Sequence, residues 1–162
     1  KVLGIPGDGG AITTNDEKFY LWAKEYRNHF KGTNEDWGGN HRLDNVLAVE
    51  LLVKLKRIKK TLARRKQIAK MYIKGLNIKI ANFNSLNWQD LIVRTEKRDD
   101  LYDYLKKNGV ETMKNTYDFP IEKDLWSKKY EEETLRLPIN EVLEDEEIQF
   151  VISKIKEFYA KV

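Results

Sequence analysis

Between Leu43 and Gly75 the sequence places an apolar residue every three or four positions, and this run constrains the fold more than any other stretch. Ala48, Leu51, Leu52, Leu55, Ile58, Leu62, Ala69 and Tyr72 keep that period, which lines one side of an α-helix. Lysines and arginines fill the opposite side, and Gly75 is a natural stop. Such a helix is roughly 45 Å long at about 1.5 Å per residue. That is more than a small domain needs, so it is expected to link two domains or to line a subunit interface.

The polar side of this helix is strongly basic. Lys54, Lys56, Arg57, Lys59, Lys60, Arg64, Arg65, Lys66 and Lys70 occur with no acid among them. A run of this kind can attract nucleic acid through its phosphates, which leaves a non-catalytic binding module as one reading. The apolar residues that interrupt it at helical spacing favour a solvated helix face instead.

On the N-terminal side, Gly4, Gly7, Gly9 and Gly10 form a loop that permits positive φ and close backbone approach. Ala11 to Thr14 reads as a short strand. Asn15 or Asp16 can cap a helix with Phe19, Leu21, Trp22 and Tyr26 on its apolar side, ending near Arg27 to His29. Phe30 to Arg42 is polar, contains Gly32, Gly38 and Gly39, and reads as a long loop of the kind that often carries function. After Gly75 the pattern changes. Ile78 to Phe83 alternates weakly, Leu91 to Val93 is a strand, and Asp99 to Asn108 is a helix closed by Gly109. Val110 to Met113 is extended, Pro120 and Pro138 punctuate a loop-rich stretch, and Asp145 to Tyr159 is a helix with Ile148, Val151, Ile152, Ile155 and Phe158 inward.

Several chemistries are excluded early. With no cysteine and only His29 and His41, no thiolate or histidine metal centre is expected. The absence of cysteine also fits a cytoplasmic protein. No apolar run is long enough to span a bilayer, and an apolar fraction of 41% beside 35% charged residues describes an ordered globular chain. The glycines at 7, 9 and 10 precede a strand-like stretch and do not follow one, so they are not a dinucleotide fingerprint. The chain opens on Lys1 and not on methionine, which suggests a piece of something longer.

Taken together the motifs are specific. Lys1-Val2-Leu3-Gly4, Gly7-Asp8-Gly9-Gly10-Ala11-Ile12 and Thr14-Asn15-Asp16 are followed by Arg27-Asn28-His29 and Gly39-Asn40-His41-Arg42-Leu43-Asp44. Arg64-Arg65, Tyr72 and Leu76 come next, and then Arg98-Asp99-Asp100-Leu101, Gly109-Val110, Leu137-Pro138-Ile139 and Asp145-Glu146-Glu147. In this order they resemble the DegT/DnrJ/EryC1/StrS aminotransferases, enzymes of nucleotide sugars that use pyridoxal 5'-phosphate. The resemblance implies an α/β fold similar to the C-terminal part of the aspartate-aminotransferase-like transferases. Residues 1–43 would end the large cofactor-binding domain, 44–75 would be a linker or interface helix, and 76–162 a small α+β domain.

The same resemblance implies the site. Lys1 matches the Schiff-base lysine, which also serves as acid and base. Asn40 matches the asparagine that reaches the cofactor phosphate across a homodimer with a shared active site. Arg42 would meet an anionic amino donor or a substrate phosphate, with an ion pair to Asp44 as the structural alternative. His29 would border the substrate. The implied reaction moves an amino group, with glutamate as donor, onto a keto sugar linked to a nucleotide, for surface polysaccharide or secondary-metabolite sugars. Sugar dehydratases of the same family carry histidine in place of the lysine, so Lys1 favours transamination. Two departures are visible: Phe30 stands where a glycine is common, and the stretch from Asn77 to Trp88 is short. Without the preceding half, the chain is expected to hold the cofactor poorly and to be inactive alone.

Overall fold

The computed structural model describes residues 2–33, 36–81, 87–114 and 125–161. It divides into two compact units, Leu3–Ile58 and Lys59–Val162.

In the first unit, helix α1 spans Glu17–Tyr26. Asp16 caps it, its Oδ1 accepting from the amides of Lys18 at 2.9 Å and Phe19 at 3.1 Å, which satisfies two of the orphan donors of the first turn. Phe19, Trp22 and Tyr26 follow one another on one side at helical spacing, with ring centroids 6.0 and 4.9 Å apart. Phe30 closes this row and is buried. The expected side is therefore apolar, but it is an aromatic ladder left largely open, since no residue of α1 is buried. The strand expected at Ala11 to Thr14 is absent; that stretch is extended, exposed and without a pairing partner.

Helix α2 spans Asn45–Gly75 and contributes to both units. Only Ile68, Ala69 and Tyr72 of it are buried, so the apolar side read from the sequence enters the core only near the C-terminal end of the helix. Leu52 and Leu55 are exposed, as are Val46, Val49 and Val53. The period that builds the helix thus stops being a core signal over its first turns. The basic run is also only partly a solvated face. Lys54 pairs with Glu50 at 2.8 Å and donates to the Gly4 carbonyl, and Arg64 pairs with Asp145 at 2.6 Å. Arg65 is held more tightly still, as described below.

The second unit is a four-stranded antiparallel sheet in the order β1-β2-β4-β3. Its strands are β1 Lys79–Ile80, β2 Leu91–Arg94, β3 Met113–Lys114 and β4 Thr134–Leu137. The helices are α3 Arg98–Lys107, α4 Leu125–Glu133 and α5 Asp145–Ala160. Leu91 lies opposite Leu137 and Val93 opposite Leu135, so one face of the central pair is apolar by strand alternation. Leu101 and Leu105 of α3, five residues of α5 and the last turns of α2 join that face in one core. Each fully buried Leu or Ile contributes roughly 1.5–3 kcal/mol to its stability. The helix α5 begins with a reciprocal cap between Glu144 and Glu147 and buries the five residues expected of it. The stretch read as loop-rich before Pro138 instead holds α4 and β4. No helix among the described residues is long and apolar enough to cross a membrane.

Two polar groups tie α2 to the rest of this unit. The Tyr72 hydroxyl donates to the Pro138 carbonyl at 3.1 Å, and burial pushes its pKa far above the ordinary phenol value. Arg65 binds Glu141 through Nε and Nη2, both at 2.9 Å, while Nη1 donates to the carbonyls of Trp88 at 3.2 Å, Gln89 at 3.3 Å and Ile139 at 3.2 Å. Replacing Arg65 with Met keeps the aliphatic stem but strands these acceptors. Urea unfolding followed by circular dichroism should show a loss of about 2–4 kcal/mol. Tyr72→Phe removes one donor and should cost about 1 kcal/mol, while Lys60→Met on the exposed side should change little.

Candidate functional site

The sequence-marked residues of the first unit meet where the chain leaves α1 and returns toward α2. Asn28 and Asn40 form an antiparallel bridge. His41 donates its amide to the Arg27 carbonyl at 2.9 Å, Gly39 to Tyr26 at 3.0 Å, and His29 to Gly39 at 3.3 Å. The His41 ring lies flat on Tyr26, with centroids 5.5 Å apart and planes 7° apart. The structure thereby places His29, Asn40 and Arg42 on two neighbouring segments, all three exposed. Lys1 lies outside the described residues.

This close approach has a local cause. A Cβ on Gly38 would run into the Tyr26 carbonyl and the Phe30 ring, so only glycine lets the two segments meet. The turn itself is strained. His29 has φ 61° and Phe30 φ 50°, a left-handed conformation that bulky residues rarely adopt. Phe30 thus holds the backbone shape a glycine would favour, and burial of its ring against Trp22 and Tyr26, at centroid distances of 6.4 and 6.2 Å, compensates. The departure noted at Phe30 is therefore a substitution of side chain and not of backbone.

Arg42 donates from Nε to Oδ1 of Asn40 at 2.9 Å, not to Asp44, so the structural ion pair is replaced by this contact. The chemistry of the pair follows from it. With its carboxamide oxygen taken by the guanidinium, Asn40 presents its amide N–H groups outward, and Arg42 keeps its terminal N–H groups. Two adjacent donors, one of them cationic, suit an oxyanion such as a phosphate or carboxylate. No group of three or more metal-ligating side chains occurs among the described residues.

One cavity lies in the second unit. About 760 Å³ in volume, it is walled by Val110, Leu137, Ile139, Ile148 and Val151, and it contains none of the four residues marked from sequence. Arg136 at its edge is already drawn to Asp90 at 3.6 Å. Its walls mix those apolar side chains with Gln89, Asp90, Glu111 and Glu146. Sequence reasoning missed this cavity because its walls come from the segment after α3, β4, the turn after it and α5, which only the tertiary structure brings together.

The sequence profile of the DegT/DnrJ/EryC1/StrS aminotransferase family matches residues 1–156. The chain belongs to this family. Among the relatives of this aminotransferase-family chain is a pleiotropic regulatory protein of Geobacillus stearothermophilus, 30% identical over 98% of this chain and 49% of its own length. Another is the dTDP-3-amino-3,4,6-trideoxy-alpha-D-glucose transaminase of Streptomyces venezuelae, 29% identical over all of this chain and 48% of its own. The crystal structure of S. venezuelae DesV superposes with a TM-score of 0.88 at 29% identity, over 98% of this chain and 48% of that one. The chain therefore has the fold of part of a sugar aminotransferase, and it spans about half the length of the curated relatives it matches. The cofactor indicated by the family is pyridoxal phosphate. The N–H donors of Asn40 are of the kind that suits the phosphate of such a group.

Gly38→Ala tests the role of the close approach. The added methyl should force the 38–41 segment off Tyr26, so the slow hydrogen exchange of the Gly39 and His41 amides should fall at least roughly tenfold. Unchanged exchange would show that the bridge does not depend on glycine.

Proposed function

We infer that the whole protein is a pyridoxal-phosphate-dependent aminotransferase, acting in the cytoplasm on a nucleotide-linked keto sugar with glutamate as amino donor. Its product would serve surface polysaccharide or secondary-metabolite sugar biosynthesis. The observation that carries this reading is the Arg42–Asn40 pair on a glycine-pinned segment, within a family whose members aminate sugars. When bound, the cofactor supplies an electron sink for the substrate carbon. The protein's own part is to bind, orient and move protons. Lys1, in the family's catalytic position, would carry the proton at Nζ between the substrate carbon and the cofactor carbon. It can do so only as the neutral amine, which requires a site that lowers its pKa. Asn40 holds the cofactor phosphate through its outward N–H groups, and Arg42 meets the carboxylate of glutamate or a phosphate of the substrate. His29, exposed on the strained turn, borders the sugar.

A homodimer with a shared active site belongs to the same proposal. The first turns of α2 expose Val46, Val49, Leu52 and Val53, while Leu47 and Leu43 lie against Gly7 and Gly9 of the preceding loop. A helix that is apolar on two faces needs cover on both, which supports an assembly built on this element. Residues 1–43, 44–75 and 76–162 would then serve as the end of the cofactor domain, the interface helix and the small domain.

The whole protein, purified with pyridoxal phosphate, should transfer isotopically labelled nitrogen from glutamate to a keto sugar nucleotide. Lys1→Ala should lower kcat roughly a thousandfold, and activity preserved in that variant would refute the catalytic assignment. Asn40→Asp places a carboxylate against a phosphate and should weaken cofactor affinity about tenfold or more, read by equilibrium dialysis.

A further inference from the structure

We propose that Trp37 is the stacking platform for the nucleobase of the substrate, and so the residue that makes this site prefer nucleotide-linked sugars over free ones. The inference rests on the nucleotide-sugar reading above. Trp37 is 92% exposed, the most exposed of the large hydrophobic side chains. An indole left in water is unfavourable unless something covers it. Yet its backbone stands on a fixed support. The Trp37 amide donates to Oδ1 of Asp36 at 2.7 Å, and the next two residues are pinned to Tyr26 through the Gly39 amide and the forced glycine at 38. The ring is therefore exposed on a segment whose next two residues are pinned, rather than carried on a free tail.

Its neighbours point to the ligand. Trp37 precedes Asn40 by three residues and Arg42 by five, and five residues of chain reach at most roughly 17 Å. The Trp37 and Arg42 backbones are thus no further apart than that, a separation that a nucleoside diphosphate and the two side chains together bridge, with Arg42 on the substrate phosphate. An aromatic face beside a guanidinium is the pairing that holds single bases with their phosphates, because every base has a π-face and every phosphate an oxyanion. Free sugars lack both.

The test uses the whole protein with its cofactor and three probes: dTDP, UDP and GDP, with inorganic pyrophosphate as the base-free control, titrated by calorimetry. Wild type should bind at least one nucleoside diphosphate more tightly than pyrophosphate. Trp37→Ala should weaken that binding about tenfold, whereas Trp37→Phe should keep it within about threefold and pyrophosphate binding should be equal in all three proteins. Sedimentation should give the same mass for each. If wild type binds a nucleoside diphosphate and Trp37→Ala binds it equally well, the proposal fails while the aminotransferase reading stands. A change of oligomeric mass in Trp37→Ala would assign the ring to a subunit contact and overturn it too. If no nucleoside diphosphate binds wild type, the nucleotide part of the function falls and this inference with it.

Discussion

A guanidinium offers donors in a rigid fork, and the Lys59–Val162 unit depends on how Arg65 uses its own. The side chain leaves a helix, crosses to Glu141 and reaches three carbonyls in two segments distant in sequence, 88–89 and 139. Those segments lead into β2 and out of β4, the central pair of the sheet. Arg65 thus fixes one end of that pair, where β2 begins and β4 finishes, against α2, and within the next two turns Ile68, Ala69 and Tyr72 enter the core. The Tyr72 hydroxyl on Pro138 repeats the device with a neutral donor. Removing either group would leave a carbonyl without its partner in a partly buried setting, and the cost of that is larger than the hydrogen bond itself.

The Leu3–Ile58 unit is organised differently. Among its described residues the only buried large side chain is Phe30, and order comes from stacked rings and from main-chain contacts that Gly38 permits. Strain at His29 and Phe30 is kept because the aromatic ladder over-determines the turn. A residue in an unfavourable conformation, beside outward donors and an exposed indole, fits a segment shaped for recognition rather than for stability. The two units therefore divide the work, one supplying a conventional core and the other presenting polar groups.

Much of the fold was legible in the residues. The helix α5 has an acidic first turn, a capping pair and five apolar residues at the right spacing, and each of these signals acts locally. The helix α3 was legible for the same reason, with acids at its start, lysines at its end and Gly109 beyond. By contrast α4 carries no clear period, and β4 is only four residues long with three of them buried. Its alternation, Thr134-Leu135-Arg136-Leu137, is too short to mark a strand by itself, so its existence follows from β2 and β3 pairing with it. The basic run misled in part for a similar reason: Arg64 and Arg65 look like their exposed neighbours until Asp145 and Glu141 are brought to them.

At the site, the sequence alone determined the family and the candidate residues His29, Asn40 and Arg42, because motif order and residue chemistry survive without coordinates. Lys1 is known only at that level. What the tertiary structure decided was how these residues are presented. It turned Arg42 to Asn40 and away from Asp44, gave Phe30 the backbone shape of a glycine, and left Trp37 facing water. The physical reason is that side-chain direction depends on contacts made across sequence separations, here between 26–30 and 38–42. No local propensity encodes which of two nearby partners a guanidinium will choose.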